Sequence, residues 1–473
     1  MTNYIGDRAV VLGGSMAGLI TARVLSDAYA QVTVVDRDVL SGVDTPRRGV
    51  PQGPHAHGLL VRGHQILEEL FPGLTDDLQA ADTPIGDLNG DIRWIFGGQR
   101  VAHGNYGLPC LSVFRPKLEA YVRSRVQKIP NITVIEQTDI VGIVASEDRT
   151  RIVGARVQSQ EQGSTERVLH ADLVVDATGR GSRTPVWLEE LGYQRPEEEK
   201  IKIGLAYTTQ QFKLPFDVFQ GDLSINPVGG PDMPRGAIFS RLSESDPLHA
   251  SLTLTGMVGD HPPADREGFL AFAKTLPAKE IYEAVKDAEP LTEAVTFRFP
   301  ASQRRRYDKL SSMPGNFVVL GDAACSYNPL YGQGMGVAAI EGTTLREHLR
   351  RGPLEPLKFQ RDIAKVIAAA WEVGANGDLQ FPQVEGKRTL KAKLGNAYNA
   401  KVIMAGMLDA EITNKFFRVA CFIDPPTVLL RPATMLKVFR LSRKLQKLAA
   451  AAAAAPPAQA PQQDPGDTLK RAA

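Results

Sequence analysis

Four short, almost wholly apolar segments constrain the fold of this chain more than any other feature of the sequence. They are residues 9–12, 32–35, 173–175 and 317–320, and a glycine or an aspartate follows each of them. Strands that are apolar on both faces are typical of a parallel sheet covered by helices. The sequence therefore predicts an α/β fold, in which ligands gather at the carboxyl ends of the strands.

The predicted parallel-sheet domain is discontinuous, because a long insertion separates its third and fourth strands. Alternating segments in the insertion, such as 203–209 and 251–257, are interrupted by proline and glycine and predict an antiparallel sheet. The expected units are the parallel-sheet domain in 1–190 and 301–350 (with 80–110 contributing to the other sheet), the antiparallel-sheet domain in 191–300, a helical region in 351–448, and a disordered low-complexity tail in 449–473.

A glycine-rich turn follows the first apolar segment and precedes a helical stretch at 19–28. Glycine at its start allows a sharp bend, a small middle residue lets backbone N–H groups approach a pyrophosphate, and a final glycine allows close packing of helix and strand. The second segment ends at Asp36, whose carboxylate is placed to accept hydrogen bonds from a ribose diol. This order predicts a dinucleotide site formed by Gly13, Gly14, Ser15, Met16, Ala17, Gly18 and Asp36.

Two other interpretations of the turn stay open at this point. One is a tight strand-to-helix turn that binds no ligand. The other is the nucleophile elbow of a hydrolase, with Ser15 as the nucleophile; this motif would have Ala17 in place of a glycine and would give Asp36 no role.

Two further motifs distinguish between dinucleotides. The third segment runs into Asp176 and Gly179, and the fourth runs into a longer glycine-rich stretch. A nicotinamide dehydrogenase needs neither motif, whereas the ribityl chain and ring of FAD extend well beyond the first turn. Hydrogen bonds to the ribityl chain are expected from Asp322, and N–H groups at the start of the next helix are expected to face the flavin ring. The residues of this stretch are Gly321, Asp322, Pro329, Gly332, Gly334 and Met335.

Taken together, these motifs resemble the FAD-dependent monooxygenases of the p-hydroxybenzoate hydroxylase type over about residues 5–350. Within that family, the segments 47–52, 55–57 and 176–182 look like those of the bacterial polyether epoxidases of ionophore biosynthesis. The resemblance implies a Rossmann-like FAD-binding domain and an antiparallel-sheet substrate domain. It also assigns cofactor contacts to Arg37, Arg48 and Arg115, the last of these near the phosphates.

The function that the resemblance implies is flavin-dependent monooxygenation. One oxygen atom of O2 would pass through a flavin C4a-hydroperoxide to a secondary metabolite, by epoxidation or hydroxylation of an apolar or polyketide-like small molecule. Electrons would come from NAD(P)H, directly or through a separate reductase, because the chain has no second glycine-rich dinucleotide turn. No side chain is assigned a catalytic role, since the flavin carries the difficult chemistry.

Three alternatives share the FAD-binding motifs. A flavin-dependent halogenase would have a W-x-W-x-I-P signature, which the sequence lacks. A reductase of the geranylgeranyl-reductase type would consume no oxygen. A non-catalytic flavoprotein would bind FAD without turnover. A metal site at His55 and His57 is not expected, because no third ligand is patterned nearby.

Charge and cysteine content narrow the partners and the compartment. Lys and Arg number 55 against 53 for Asp and Glu, so nucleic acid is not an expected partner. The three cysteines form no C-x-x-C pair and favour a reduced, cytoplasmic enzyme. Residues 426–463 contain no acidic side chain, and their basic helix is suited to weak contact with an anionic membrane surface or an acidic carrier protein.

Overall fold

The computed structural model describes residues 4–454, in which strands and helices alternate at the start of the chain as the sequence predicts. The strands are β1 Gly6–Leu12, β2 Tyr29–Val35, β3 Ile85–Asp87, β4 Ile92–Phe96, β5 Gln99–Arg100, β6 Pro109–Leu111, β7 Ile132–Ile135, β8 Thr138–Ala145, β9 Ile152–Ser159, β10 Arg167–His170, β11 Leu173–Asp176, β12 Glu198–Ile201, β13 Leu205–Lys213, β14 Ser224–Val228, β15 Arg235–Arg241, β16 His249–Gly256, β17 Glu289–Pro290, β18 Val295–Phe299, β19 Ser302–Arg305, β20 Phe317–Val319 and β21 Cys325–Ser326. The α-helices are α1 Met16–Leu25, α2 Val61–Leu70, α3 Leu74–Ala80, α4 Arg115–Gln127, α5 Thr184–Glu190, α6 Arg266–Thr275, α7 Lys279–Val285, α8 Gln333–Arg350, α9 Pro356–Asp378, α10 Leu390–Gly406, α11 Ala410–Ala420 and α12 Pro432–Ala454.

The four apolar segments form β1, β2, β11 and β20, which with a fifth strand, β7, make a parallel sheet in the order β20-β11-β1-β2-β7. Their inner residues are buried on both faces, as the sequence predicts. On one side α1 packs against α8, and strand β9 of the small sheet β10-β9-β8 contacts β11. The predicted doubly covered α/β fold is confirmed.

The first helix begins earlier than the sequence pattern suggests. The expected helix at 19–28 is α1, Met16–Leu25, because Ser15 already has extended backbone angles and serves as its N-cap. The start of the helix therefore lies inside the glycine-rich turn, where its first N–H groups are close to the strand ends.

The second domain is built on an eight-stranded sheet with the order β17-β13-β16-β15-β14-β4-β5, in which β18 also pairs with β13. Its strands are antiparallel except for β14 and β4, which run parallel to each other. Strands β4 and β5 come from residues 80–110, which the sequence analysis assigned to this side. Helices α6 and α7, which the sequence pattern did not predict, pack on the sheet through Phe269, Phe272 and Ile281.

The C-terminal region is helical, with α9 against α8 and with α10 and α12 packed together. Residues 449–454, which were expected to belong to a disordered tail, extend α12, and the rest of the predicted tail, 455–473, lies outside the described residues. Within residues 4–454, no helix has the length and apolar character needed to cross a membrane.

Candidate functional site

The carboxyl ends of β1, β2 and β11 lie level with one another at one edge of the parallel sheet. Leu12 pairs both with Val35 of β2 and with Asp176 of β11. The glycine-rich turn, Asp36 and the loop after Asp176 therefore begin side by side. This edge brings together the sequence-predicted residues of the first two motifs.

The glycine-rich turn is tightly packed, and the fold itself requires two of its glycines. Gly13 has φ +105°, and a Cβ there would lie 2.5 Å from the carbonyl oxygen of Ala177. A Cβ on Gly18 would lie 1.8 Å from the carbonyl oxygen of Gly13. The backbone N–H of Gly14 donates to Asp36 Oδ2 at 2.6 Å, so the acid at the end of β2 also holds the turn.

Ser15, which replaces the middle glycine of the motif, connects the turn to α4. Its hydroxyl donates to Glu119 Oε2 at 3.1 Å and accepts from Arg115 Nη2 at 3.1 Å. It makes no side-chain capping bond to α1. The Ser15 side chain therefore leaves the N–H groups of the first turn of α1 free. A helix N-terminus that binds an anion needs such free N–H groups.

A buried carboxylate, Glu119, is surrounded by three arginines. Its oxygens lie 2.8 Å from Arg47 Nε, 3.0 Å from Arg115 Nη1 and 3.5 Å from Arg123 Nη1. Burial raises the pKa of Glu119. The positive charges of Arg115, Arg47 and Arg123 lower it by more, so the pKa lies below its usual value. Removing a partner from a buried ion pair typically costs about 3–5 kcal/mol, so Glu119 holds the surrounding loops in place.

Arg47 extends the same network to the end of β2. Its Nη1 lies 2.7 Å from Asp38 Oδ2 and 3.4 Å from Asp36 Oδ1. Three arginines therefore face three carboxylates, and the network is close to electrically neutral. The positive potential for an anion must come chiefly from the N-terminus of α1, while the network fixes the geometry of the turn.

The other two predicted arginines lie at the surface. Arg37 is half-exposed and its nearest carboxylate, that of Asp38, is 3.9 Å away. Arg48 is exposed, whereas its neighbour Arg47 is buried in the network. Arg47 belongs to the motif segment 47–52, but the cofactor contact was expected from Arg48.

The loop after β11 is shaped by Asp176. The carboxylate is fully buried, and its oxygens accept hydrogen bonds from the backbone and hydroxyl of Thr178, from Ser182 and from Thr184 at 2.5–2.9 Å. These four donors use the acceptor capacity of the carboxylate. Any ligand contact of this loop would therefore come from its backbone around Gly179, which is half-exposed.

A second buried carboxyl, Glu341 of α8, supports the loop that carries Asp322. Glu341 Oε2 accepts from the N–H of Gly321 at 2.6 Å, and Glu341 Oε1 has no partner among residues 4–454. Burial raises the pKa of Glu341 to about 8, and the charge of Asp322 acts in the same direction. Burial also raises the pKa of Asp322, against the opposing charges of Arg115 and Arg180.

The start of α8 leaves an open space beside Asp322. Gly332, with φ +65°, is the N-cap of α8 and follows the short helical turn Pro329–Tyr331. A Cβ on Gly334 would meet only Asp322 Oδ1, at 3.9 Å. The fold therefore does not require glycine at position 334, and both Gly334 and Met335 are half-buried at this opening.

The two histidines His55 and His57 make hydrogen-bond contacts within the protein. His57 Nδ1 lies 2.8 Å from the carbonyl oxygen of His55, and burial lowers the pKa of His57 to about 3. Within the described part of the chain, no group of three or more potential ligands is arranged to hold a metal ion.

Several residues of the site were not assigned from the sequence. The spacing of Arg115, Glu119 and Arg123 at intervals of four on one helix was the signal for the ion-pair network. No comparable local signal indicated Glu341, because its partner Gly321 lies in the preceding loop rather than on the same helix.

Comparisons with known proteins agree with this geometry. Residues 8–351 match a family model described as FAD binding domain. The chain is 35% identical over 398 residues to Protein Rv3254 of Mycobacterium tuberculosis (strain ATCC 25618 / H37Rv), covering 80% of this chain and 82% of that protein.

Solved structures show the same fold at low identity. The flavin-dependent brominase Bmp2 matches with a TM-score of 0.63 and 14% identity, covering 94% of this chain and 100% of that chain. The p-nitrophenol 4-monooxygenase PnpA from Pseudomonas putida DLL-E4 matches with a TM-score of 0.61 and 15% identity, covering 87% of this chain and 97% of that chain. Neither likeness carries information on substrate.

Replacing Glu341 with glutamine should remove a pH-dependent loss of stability. The pKa of Glu341 is about 8 in the folded chain against its usual 4.5, so the unfolded chain releases this proton first as the pH rises. Between these two values, rising pH destabilises the native state. Glutamine keeps an acceptor for Gly321 and does not titrate. We therefore expect the difference in melting temperature between Glu341→Gln and the wild type to shift in favour of the variant as the pH rises from about 5 to about 8. Thermal unfolding at several pH values measures this difference.

The matched control is Glu347→Gln, an exposed position on the same helix. Its melting curve should follow that of the wild type at every pH. Parallel profiles for Glu341→Gln and the wild type would contradict the prediction.

Proposed function

The chain belongs to the family described as FAD binding domain, and on this basis we propose that it is a flavin-dependent monooxygenase acting on an organic small molecule. The proteins of this family are FAD-dependent oxidoreductases. The transfer of one oxygen atom from O2 is the further step that we propose, and epoxidation and hydroxylation are its two forms.

The residues at the strand ends fit FAD in its expected orientation. The turn from Gly13 to Gly18 and the N-terminus of α1 would hold the pyrophosphate, and Asp36 would hold the adenosine ribose. The ribityl chain would run past Asp322 towards the start of α8. Asp36 already accepts from the N–H of Gly14 through Oδ2, and from the N–H of Asp38 and Arg47 Nη1 through Oδ1. A carboxylate has about four acceptor positions, so one position, on Oδ2, would be left for a ribose hydroxyl.

The observation that carries the proposal is the open space at Gly334. Glycine there serves no steric or conformational need of the fold, since its φ is not positive and a Cβ would have room. A planar ring that lies close to the backbone at this position would explain the glycine, because a side chain would keep the ring away. The exposed N–H groups at the start of α8 would face that ring, where the helix dipole stabilises negative charge.

When bound, FAD would supply the redox chemistry, because a reduced flavin can activate O2. The chain's own residues would position and enclose the reactants. Asp322 and the start of α8 would fix the ring, and the loop with His55 would cover it, since His55 contacts Thr209 of the large sheet at 2.8 Å. Enclosure of this kind excludes water from the reaction.

Electrons would come from NAD(P)H, directly or through a separate reductase. A halogenase and a reductase of the geranylgeranyl-reductase type are the alternative functions. The fold does not separate them, since one of the solved structures of this fold is a brominase and another is a monooxygenase. The absence of the W-x-W-x-I-P signature from the sequence favours monooxygenation over halogenation.

The proposed function predicts that the purified protein carries FAD and consumes O2 in the presence of NADPH or of a flavin reductase. Oxygen uptake should depend on FAD, and incubation with candidate alkenes and phenols under ¹⁸O2 should yield a product heavier by one labelled oxygen atom. Substrate reduction without oxygen uptake would instead identify a reductase. A protein that cannot be loaded with FAD would contradict the proposal altogether.

Replacing Gly334 with alanine should separate cofactor binding from folding. Alanine is the better helix former, so thermal stability of the apoprotein should be unchanged or slightly higher. The added methyl group would meet the flavin ring and should weaken FAD binding at least tenfold, about 1.4 kcal/mol. Affinity is measured by the quenching of flavin fluorescence.

The control is Gly395→Ala at an exposed position of α10, where a Cβ also has room, with no neighbour within 4 Å. This variant should bind FAD like the wild type. Equal FAD affinity of Gly334→Ala and Gly395→Ala would show that no ring approaches residue 334.

The contact with an anionic membrane surface or carrier protein remains a proposal, which the structure allows us to sharpen. One face of α12 packs through Val438, and Lys437 is paired with Asp409 and Glu411 at 2.8 Å. Four basic residues of α12 face solvent instead, Lys447 and a group of three: Arg440, Arg443 and Lys444.

Replacing these three residues together with glutamine should weaken binding to vesicles of phosphatidylcholine and phosphatidylserine about tenfold or more at low salt, since each cation contributes roughly 1 kcal/mol near an anionic surface. Co-sedimentation measures the effect. The control replaces three exposed basic residues elsewhere, Arg350, Arg351 and Lys358, with glutamine. Equal binding of the two triple variants, or no binding by the wild type, would return α12 to a purely structural role.

A further inference from the structure

The first turns of α10 expose two leucine side chains on one face of the helix. Leu390 is 73% exposed and Leu394 is 63% exposed, although α10 buries Ala392, Val402 and Ala405 on other faces. Residues four apart lie one above the other on a helix, so the two leucines form one apolar patch. Leucines scattered singly over a surface need no explanation, whereas neighbouring ones exposed to this extent do.

The neighbouring helix α12 runs back along α10. Lys437, near the start of α12, pairs with Asp409, just beyond the end of α10, at 2.8 Å. Two residues further along α12, the ring of Phe439 lies 6.0 Å from that of Tyr398 in the middle of α10, centre to centre. The two helices pack against each other, so the residues of α12 after Phe439 lie beside the first half of α10.

This arrangement places the exposed leucines and two exposed basic residues at the same end of the helix pair. Leu394 and Leu390 precede the contact of the two aromatic rings by one and two turns of α10. Arg443 and Lys447 follow that contact by one and two turns of α12. All four side chains are exposed. We call these four residues the α10–α12 face.

The charge of both helices has a single sign. α10 carries three lysines and α12 carries five basic residues, and neither helix contains an aspartate or a glutamate. The α10–α12 face therefore presents leucines and cations together, without an acidic side chain from its own helices. Its charge is complementary to an anionic surface.

A bilayer with anionic headgroups matches both properties of this face. Apolar side chains of a helix that lies on a membrane pass between the headgroups to the boundary of the acyl chains, while its basic side chains stay with the lipid phosphates. An acidic protein would pair with the cations, but charge alone gives the two leucines no partner. The apolar part of the face thus favours a lipid surface over an acidic carrier protein.

We propose that the α10–α12 face docks on an anionic bilayer and inserts Leu390 and Leu394 at the boundary between headgroups and acyl chains. The inference rests on the membrane contact proposed above for α12 and deepens it. That contact is electrostatic and is screened by salt, whereas insertion adds an apolar part that salt does not screen. It does not depend on the proposed oxygen transfer.

The double variant Leu390→Gln/Leu394→Gln tests the insertion. Glutamine forms helices about as well as leucine and both positions are exposed, so the fold should be kept. Co-sedimentation with vesicles of phosphatidylcholine and phosphatidylserine, at low and at high salt, measures binding. The variant should bind at least tenfold more weakly at low salt, because it loses two apolar groups from the bilayer. Its remaining binding should disappear at high salt, where the wild type still binds.

A tryptophan at the same place reports insertion directly. On vesicles, the added fluorescence of Leu394→Trp should shift to shorter wavelengths and be quenched by brominated phosphatidylcholine. Leu291→Trp, at a 46% exposed position beside β13 of the large sheet, should show neither change. Equal responses of the two variants would contradict insertion through α10.

The matched control for the double variant is Phe216→Gln/Leu291→Gln, which removes two exposed apolar side chains from the other domain. It should bind vesicles like the wild type at both salt concentrations. Equal binding of the two double variants, wild-type binding that vanishes at high salt, or no binding even at low salt would overturn the inference. All variants should keep the FAD content and thermal stability of the wild type.

Other occupants of the face give different results. A wild-type dimer that Leu390→Gln/Leu394→Gln converts to a monomer in light scattering, without vesicle binding, would overturn the inference and identify an interface between two copies. Binding that needs the basic residues of α12 but not the leucines would reject insertion and leave the electrostatic contact standing. A protein that inserts into vesicles but consumes no O2 would support this inference and reject only the proposed function.

Discussion

The level register of the parallel strands is the constraint on which the rest of the site depends. Leu12, Val35 and Asp176 pair side by side, although they come from distant parts of the sequence. The strands are apolar on both faces up to these positions. Asp36 and Asp176 are themselves buried. A slip of one strand would separate Asp36 from the N–H of Gly14, or Asp176 from its four donors, and an unpaired buried carboxylate costs several kcal/mol. The aspartates thus act as stops that fix the register, and the same register assembles the site.

The glycines of the motifs differ in how closely other atoms surround them, and this difference shows which of them the fold itself requires. Gly13 and Gly18 are required by close backbone packing, so the first turn would need them even without a ligand. Gly334 has room for a side chain and ordinary backbone angles. The density of glycines in a sequence cannot make this distinction. Only the surroundings of each Cα position can, and they show that close packing explains the glycines at positions 13 and 18 but not the one at position 334.

Sequence reasoning predicted the elements whose signals are local. The apolar runs and the turn located β1, β2, β11 and β20, and their order predicted the fold. Helices α6 and α7 were missed although Phe269, Phe272 and Ala273 of α6 have helical spacing, because the alternation of the neighbouring strands dominated the interpretation. The contact of Glu119 with Arg47 could not be predicted, since it joins residues far apart in sequence that meet only when α4 packs on the turn.

The division of the chain follows a division of physical tasks. The part that matches the family, residues 8–351, contains the strand ends, the ion-pair network of Glu119 and the start of α8. In the proposed function, these features would hold and surround a cofactor whose shape does not vary. Asp378 lies beyond that part, on α9, and its carboxylate reaches back to Asn328 and Tyr331 within it. A helix outside the cofactor-binding framework can change its polar side chains without disturbing the register of the sheet.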